Sequence, residues 1–229
     1  MDTALIVTGL AGGTFVLTHL GLTGAPLRGR LVARLGENGF QGLYVLLAAL
    51  VLGILFVAYR GASHHVYLWS PGPVLCYLPL LAMPLALILI AGGALIPDPS
   101  ATRMTDALQG SDLARGVLRV TRHPVMWGVG LWAAAHILAN GDLASLLLFG
   151  SFLLTALGGA WQLDRGMATT EGERWRHFAA VTSFLPFAAL LAGRQRWAWA
   201  EWRRPAAWGL GLFVLLFFLH LRLFGVRPY

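Results

Sequence analysis

The chain has 229 residues, 57% of them hydrophobic and only 12% charged, with a mean hydropathy of +0.68. Soluble domains carry about 25% charged residues, so the composition belongs to a membrane protein. The net charge of +7 comes from 17 arginines and no lysine, and one cysteine, Cys76, rules out an internal disulfide or a thiolate metal cluster.

A membrane span needs about 20 predominantly apolar residues. In chain order the spans are predicted at Thr3–Leu22, Gly39–Tyr59, Val74–Ile96, Val125–Ala139, Leu143–Trp161 and Ala207–Gly225. The fourth is short. The N-terminus reads as a first span and not as a cleavable signal peptide, because it lacks a basic region and its apolar run is too long. Pro97-Asp98-Pro99-Ser100 stops the third span. Asn140-Gly141 predicts a tight turn, making the fourth and fifth spans an antiparallel hairpin. Val181–Ala192 is broken by Pro186 and flanked by arginines, which suits an interfacial or re-entrant segment better than a seventh span. Glycines inside the spans (Gly9, Gly12, Gly13, Gly92, Gly93, Gly158, Gly159) permit close helix contact. The expected fold is all-α: one polytopic bundle over 1–229, with about six spans and an interfacial segment.

The arginines divide unevenly between the loops. Fourteen lie in the loops after spans one, three and five, among them Arg28, Arg30, Arg34, Arg103, Arg115 and Arg119; three, Arg60, Arg222 and Arg227, lie on the other side. The positive-inside rule then places both termini outside the cytoplasm. Arginines interleaved with Trp197, Trp199, Trp202 and Trp208 form an interfacial belt facing lipid, and nucleic acid is not expected as a partner.

Three histidines fall in apolar runs: His19, His136 and His220. An imidazole in hydrocarbon is costly without a partner or a ligand. Neutral imidazoles are common metal ligands, and paired ones suit heme iron. The alternative is a hydrogen bond to a helix carbonyl. From span boundaries alone, His19 and His136 differ in depth by about 15 Å, while His220 shares the depth of His136, so the pair is either His19 with His136 or His136 with His220. Arg122-His123-Pro124 opens the fourth span, where arginine beside a helix start can hold an anion or simply reach lipid headgroups. Asp164-Arg165 and Glu171 to Trp175 follow the fifth span, where they could close a cytoplasmic-side site by ion pairs; exposed pairs are usually weak, and that plainer reading leads. His64-His65 is a poor joint metal site, because adjacent side chains diverge, and His177 reads as solvated.

Several stretches form a pattern in order: Thr18-His19-Leu20, Arg34-Leu35-Gly36-Glu37, Thr121-Arg122-His123-Pro124 with Trp127-Gly128, Leu131-Trp132 through Ala135-His136, Asn140-Gly141-Asp142, Gly159-Ala160-Trp161 with Asp164-Arg165, and His220 with Phe224-Gly225-Val226. The chain resembles the NnrU family of bacterial inner-membrane proteins and, more distantly, the plant 15-cis-zeta-carotene isomerases of the same superfamily. The first resemblance implies a bacterial inner-membrane location and a link to denitrification and nitric oxide. The second implies heme b held by two histidines at positions matching His19 and His136, with iron assisting cis–trans isomerisation of a polyene. It favours His19 with His136 as the metal pair, with Arg122, His123 and His220 as further cofactor-binding candidates. Arg122 would hold a heme propionate or another anion. The expected partners are the bilayer, heme, and a small hydrophobic substrate or nitric oxide. The isomerases carry a cysteine in a Trp-Cys-x-x-His stretch, where this chain has Ala133, so a thiol switch has no counterpart here. The Arg-His-Pro motif and the acidic segment beyond the next span are also similar to isoprenylcysteine carboxyl methyltransferases, implying S-adenosylmethionine as an alternative ligand of the second half.

Overall fold

A computed structural model describes residues 2–96 and 113–228, with the side chains of Ala25 and Pro26 left aside. The Pro97–Ser100 stop and Arg103 lie outside the described residues. All regular structure among those residues is helical: α1 (Thr3–Thr23), α2 (Ala25–Gly61), α3 (Pro73–Cys76), α4 (Leu78–Leu95), α5 (Pro124–Asn140), α6 (Leu143–Thr170), α7 (Glu173–Val181), α8 (Ala188–Leu191) and α9 (Trp199–Phe224), with a 3-10 turn at Gly116–Arg119. Five helical stretches are long and apolar enough to cross a membrane: Thr3–Thr23, Leu27–Gly61, Pro73–Leu95, Leu143–Thr170 and Trp199–Phe224. The stretch expected as the fourth span forms the helix α5, whose 17 residues leave it outside those five, in line with the shortness read from the sequence.

Three boundaries differ from expectation. Arg28, Arg30 and Arg34 lie on a helix and not in a loop, because α2 begins at Ala25 and runs through a kink at Gly36 (φ 69°, ψ 169°). Arg28 pairs with Glu37 across that kink and lies 5.4 Å over the Phe40 ring. α6 continues nine residues beyond Trp161 to Thr170, which brings Asp164 and Arg165 into the helix. The stretch 181–192 contains only the four-residue α8, so it is not a seventh span.

The chain divides into two compact units, Met1–Leu78 with Ala133–Gln162, and Pro79–Trp132 with Leu163–Tyr229. In the first, α1 packs on α6 with both running the same way. Gly9 and Gly12 face Leu147, Phe15 faces Phe152, and Leu20 faces Gly158. Leu5, Ala62 and Ala144 form a small core with Tyr59 and Leu147 around them. Lipid tails are as apolar as these side chains, so packing and hydrogen bonds hold such helices together more than water exclusion does.

The turn between α5 and α6 is the expected hairpin. Gly141 has φ +73°, and a Cβ there would stand 2.3 Å from the Trp69 carbonyl oxygen, so glycine is required both for conformation and for space. The loop after α2 is pinned to this turn by Leu68 N–H on the Gly141 carbonyl (2.8 Å) and Leu143 N–H on the Val66 carbonyl (2.9 Å). Asp142 caps α6 by accepting from Ser145 N–H at 2.9 Å, and His64 Nδ1 lies 3.1 Å from the same oxygen.

In the second unit, Gly128 of α5 lets that helix touch α4: a Cβ there would meet the Ala86 carbonyl oxygen at 2.6 Å. Leu89, Val117 and Val120 form the core, covered by Trp127, Phe187 and Trp202. Glu201 of α9 holds the 3-10 turn, accepting from Arg119 Nε at 2.9 Å and from Gly116 N–H.

Candidate functional site

The second unit assembles a charged cluster at the start of α5. Arg122 Nε donates to both Asp164 oxygens (2.9 and 3.0 Å), and its Nη2 donates to Oδ2 at 2.5 Å. His123 Nε2 lies 2.5 Å from Asp164 Oδ1, its side chain only 1% exposed. The Arg122 guanidinium stands 6.0 Å from the Trp175 ring. The local backbone fixes these positions: Arg122 N–H donates to the Ser183 carbonyl (2.9 Å), and Thr121 Oγ1 donates to the Phe184 carbonyl (2.8 Å). The exposed reading favoured for Asp164 in the sequence gives way here to a part-buried carboxylate that joins the two basic residues. The signal for more was available: an acid trailing an apolar span faces the arginine and histidine that open the preceding one.

His19 and His136 share the first unit. His19 Nδ1 lies 2.8 Å from the Phe15 carbonyl oxygen, four residues back on α1. A carbonyl only accepts, so Nδ1 carries the proton and Nε2 keeps its lone pair. The ring is half-buried, 4.0 Å from Phe15 and edge-on to Tyr44 at 5.5 Å. His136, also half-buried, lies 4.9 Å from Phe149, which meets Tyr59 at 6.3 Å. The His136 main-chain oxygen accepts from Asn140 Nδ2 at 2.7 Å. Both histidines can be placed against α6: His136 at the level of Phe149, and His19 between the levels of Phe152 and Gly158. That offset is roughly 10 Å along the helix, less than span boundaries alone suggest. The aromatic lining by Phe15, Tyr44 and Phe149 has no sequence signature beyond ordinary span composition.

His220 belongs to the second unit. Its Nδ1 lies 2.8 Å from the Val226 carbonyl oxygen, and its ring lies 4.8 Å from Phe224. Among the described residues no group of three or more His, Cys, Asp or Glu side chains is arranged to hold a metal ion.

The family model described as NnrU protein matches residues 5–228. The chain belongs to the NnrU family. Among curated proteins, this NnrU-family chain is 37% identical over 81 residues to the chloroplastic 15-cis-zeta-carotene isomerase of Zea mays. It is 39% identical over 80 residues to the enzyme of the same name from Arabidopsis thaliana. Each match covers 35% of this chain and 22% of the relative, so the likeness spans less than a quarter of either isomerase. No solved structure matches.

Proposed function

We propose that this NnrU-family protein binds heme b through His19 and His136 and catalyses cis–trans isomerisation of a polyene. The observation that carries the reading is the His19 ring. Its Nδ1 is tied to a helix carbonyl at 2.8 Å, which directs Nε2 to act as the ligand nitrogen. His136 lies in the same unit, beside the same helix, and an aromatic ring flanks each of the two histidines. That donor set and lining fit a flat apolar macrocycle with two nitrogen ligands.

Heme iron, when bound, supplies a Lewis-acidic and redox-active centre beside a conjugated chain. The residues of this chain hold and orient. Phe15 fixes the tautomer of His19 through its main-chain oxygen, Tyr44 buttresses the ring, and Phe149 supports His136. The same unit carries an open apolar surface between the start of α1 and the later part of α2, lined by Val7, Ala49, Leu50, Gly53 and Ile54, which suits contact with hydrocarbon chains. The named activity of the two plant relatives supports polyene isomerisation.

The test is an absorption spectrum of protein purified from heme-replete cells. A Soret band is expected in the wild type, with loss or displacement in His19→Ala and in His136→Ala. Turnover of cis-zeta-carotene by the same sample tests the reaction, and a Soret shift on adding nitric oxide tests that gas as a ligand of the iron. Absence of the band in the wild type overturns the heme reading.

A further inference from the structure

The start of α9 carries charge that the fold leaves uncompensated on its outer side. Its inward face is set by Trp202, Pro205 and Gly209, and Pro205 and Gly209 are buried. Glu201, in the same first turn, folds inward onto Arg119 and the Gly116 amide. What remains outward is cationic and aromatic. Arg203 and Arg204 are exposed, as are Trp199 (77%) and Trp208 (66%). Trp199 with Arg203, and Arg204 with Trp208, are each four residues apart and therefore share a helix face. Exposed Arg196 precedes them, next to Trp197, whose ring stacks on Trp202 at 4.6 Å. None of these three arginines has an acidic partner among the described residues.

The spacing along α9 fixes the level of this patch. Beyond Trp208 the outward side chains are apolar, including Leu210, Val214, Leu215, Phe218 and Leu221. The next charge on the helix is Arg222. From Arg203 to Arg222 the helix rises about 28 Å, which matches a hydrocarbon core of about 30 Å. Arg203 and Arg204 therefore stand where phosphate groups stand when Phe218 and its neighbours stand in hydrocarbon. The unpaired N–H groups and positive dipole end at the first turn of α9 add to the attraction for anions.

From this we infer that Arg196, Arg203 and Arg204, flanked by Trp199 and Trp208, form a binding surface for the headgroups of anionic phospholipids. The arginines recognise the phosphate and net negative charge, and the indoles sit among headgroup and upper acyl chain, the depth that amphipathic rings prefer. The inference stands apart from the heme reading, since every residue in it belongs to α9 and the segment before it.

The experiment uses full-length protein in nanodiscs of phosphatidylcholine containing a minor fraction of spin-labelled phosphatidylglycerol or spin-labelled phosphatidylcholine. The wild type is expected to immobilise the anionic label severalfold more than the neutral one. Arg203→Gln with Arg204→Gln should bring that preference close to parity, since each arginine near an anionic surface is worth roughly fivefold. Arg196→Gln alone should reduce it less, and serves if the double variant does not fold. Arg176→Gln, which removes a cation already paired with Glu173 at 2.6 Å, should leave it unchanged. Equal immobilisation of both labels by the wild type overturns the inference, as does an undiminished preference in folded Arg203→Gln/Arg204→Gln or in Arg196→Gln. Abolition of the preference by inorganic phosphate, with equal stabilisation of the protein, would assign the patch to the free anion instead.

Discussion

His19 lies within the apolar helix α1 and His123 just before α5, and the two units treat them differently. His123 is enclosed and faces a carboxylate that also clamps Arg122. Its ring nitrogen Nε2 is committed to Asp164, whose carboxylate also accepts from Arg122. His19 meets a main-chain carbonyl and aromatic rings, and the Nδ1 bond to that carbonyl leaves Nε2 as an acceptor. The comparison teaches that partner chemistry, more than burial, decides whether an imidazole nitrogen is committed to an ion pair or left available. An acid beside an imidazole gives it a charged partner and ties two helices together, whereas a carbonyl merely orients it.

Removing Asp164 should break the comparison hardest. Asp164→Asn leaves the Arg122 guanidinium, 13% exposed, without its counter-charge. Loss of one partner of such a pair costs about 3–5 kcal/mol, read as a fall in the thermal midpoint of the protein in detergent. His123→Ala should follow at about 3 kcal/mol, from lost packing and from weakening of the same pair. His19→Ala should cost only about 1 kcal/mol, the worth of one hydrogen bond, while abolishing any heme band. Equal destabilisation by His19→Ala and His123→Ala would erase the distinction between the two sites.

Gly128→Ala tests the second unit by volume instead of charge. Its new methyl would meet the Ala86 carbonyl oxygen at 2.6 Å, and also the Ile90 side chain. Overpacking of this kind costs about 1–3 kcal/mol. The same substitution at Gly13 of α1, where nothing lies within 4 Å of the new Cβ, should be near neutral in a thermal melt.

The sequence made the helical class plain, since runs of apolar side chains long enough to cross a bilayer have few other uses. The α5–α6 hairpin was legible because Asn140-Gly141 supplies both a polar turn and a left-handed backbone position. The true starts of α2 and the true end of α6 were not. Arginine stems tolerate helix as well as loop, so Arg28 to Arg34 carry no stop signal. Gly36 bends α2 without ending it, which apolar periodicity does not register. In the Arg122–His123–Asp164 cluster the two basic residues were visible as a motif, but their carboxylate lies some forty positions away, and only the fold brings it to 2.5 Å. The pairing of His64 with Asp142 was hidden for the same reason.

The smallest effect concerns the first turn of the chain, where one carboxylate joins two elements of the first unit. Asp2 caps α1 by accepting from Ala4 N–H at 3.0 Å and accepts from Ser63 N–H at 2.5 Å, so it ties the start of α1 to the residue just after α2. The Ser63 hydrogen bond, foremost, holds its carboxyl below the ordinary value of 3.8. A carboxyl with a lowered folded-state value stabilises the fold fully above its unfolded value, and that contribution is lost as pH falls through the lowered one. Protection of the Ser63 amide against hydrogen exchange should therefore hold from neutral pH down to about pH 4 and decline below it. Asp2→Asn should lower the protection at neutral pH and flatten its pH dependence, because an amide oxygen still accepts but does not titrate. A pH dependence that survives unchanged in Asp2→Asn would assign the effect to another acid, with Asp142, the cap of α6, as the nearest alternative in the same unit.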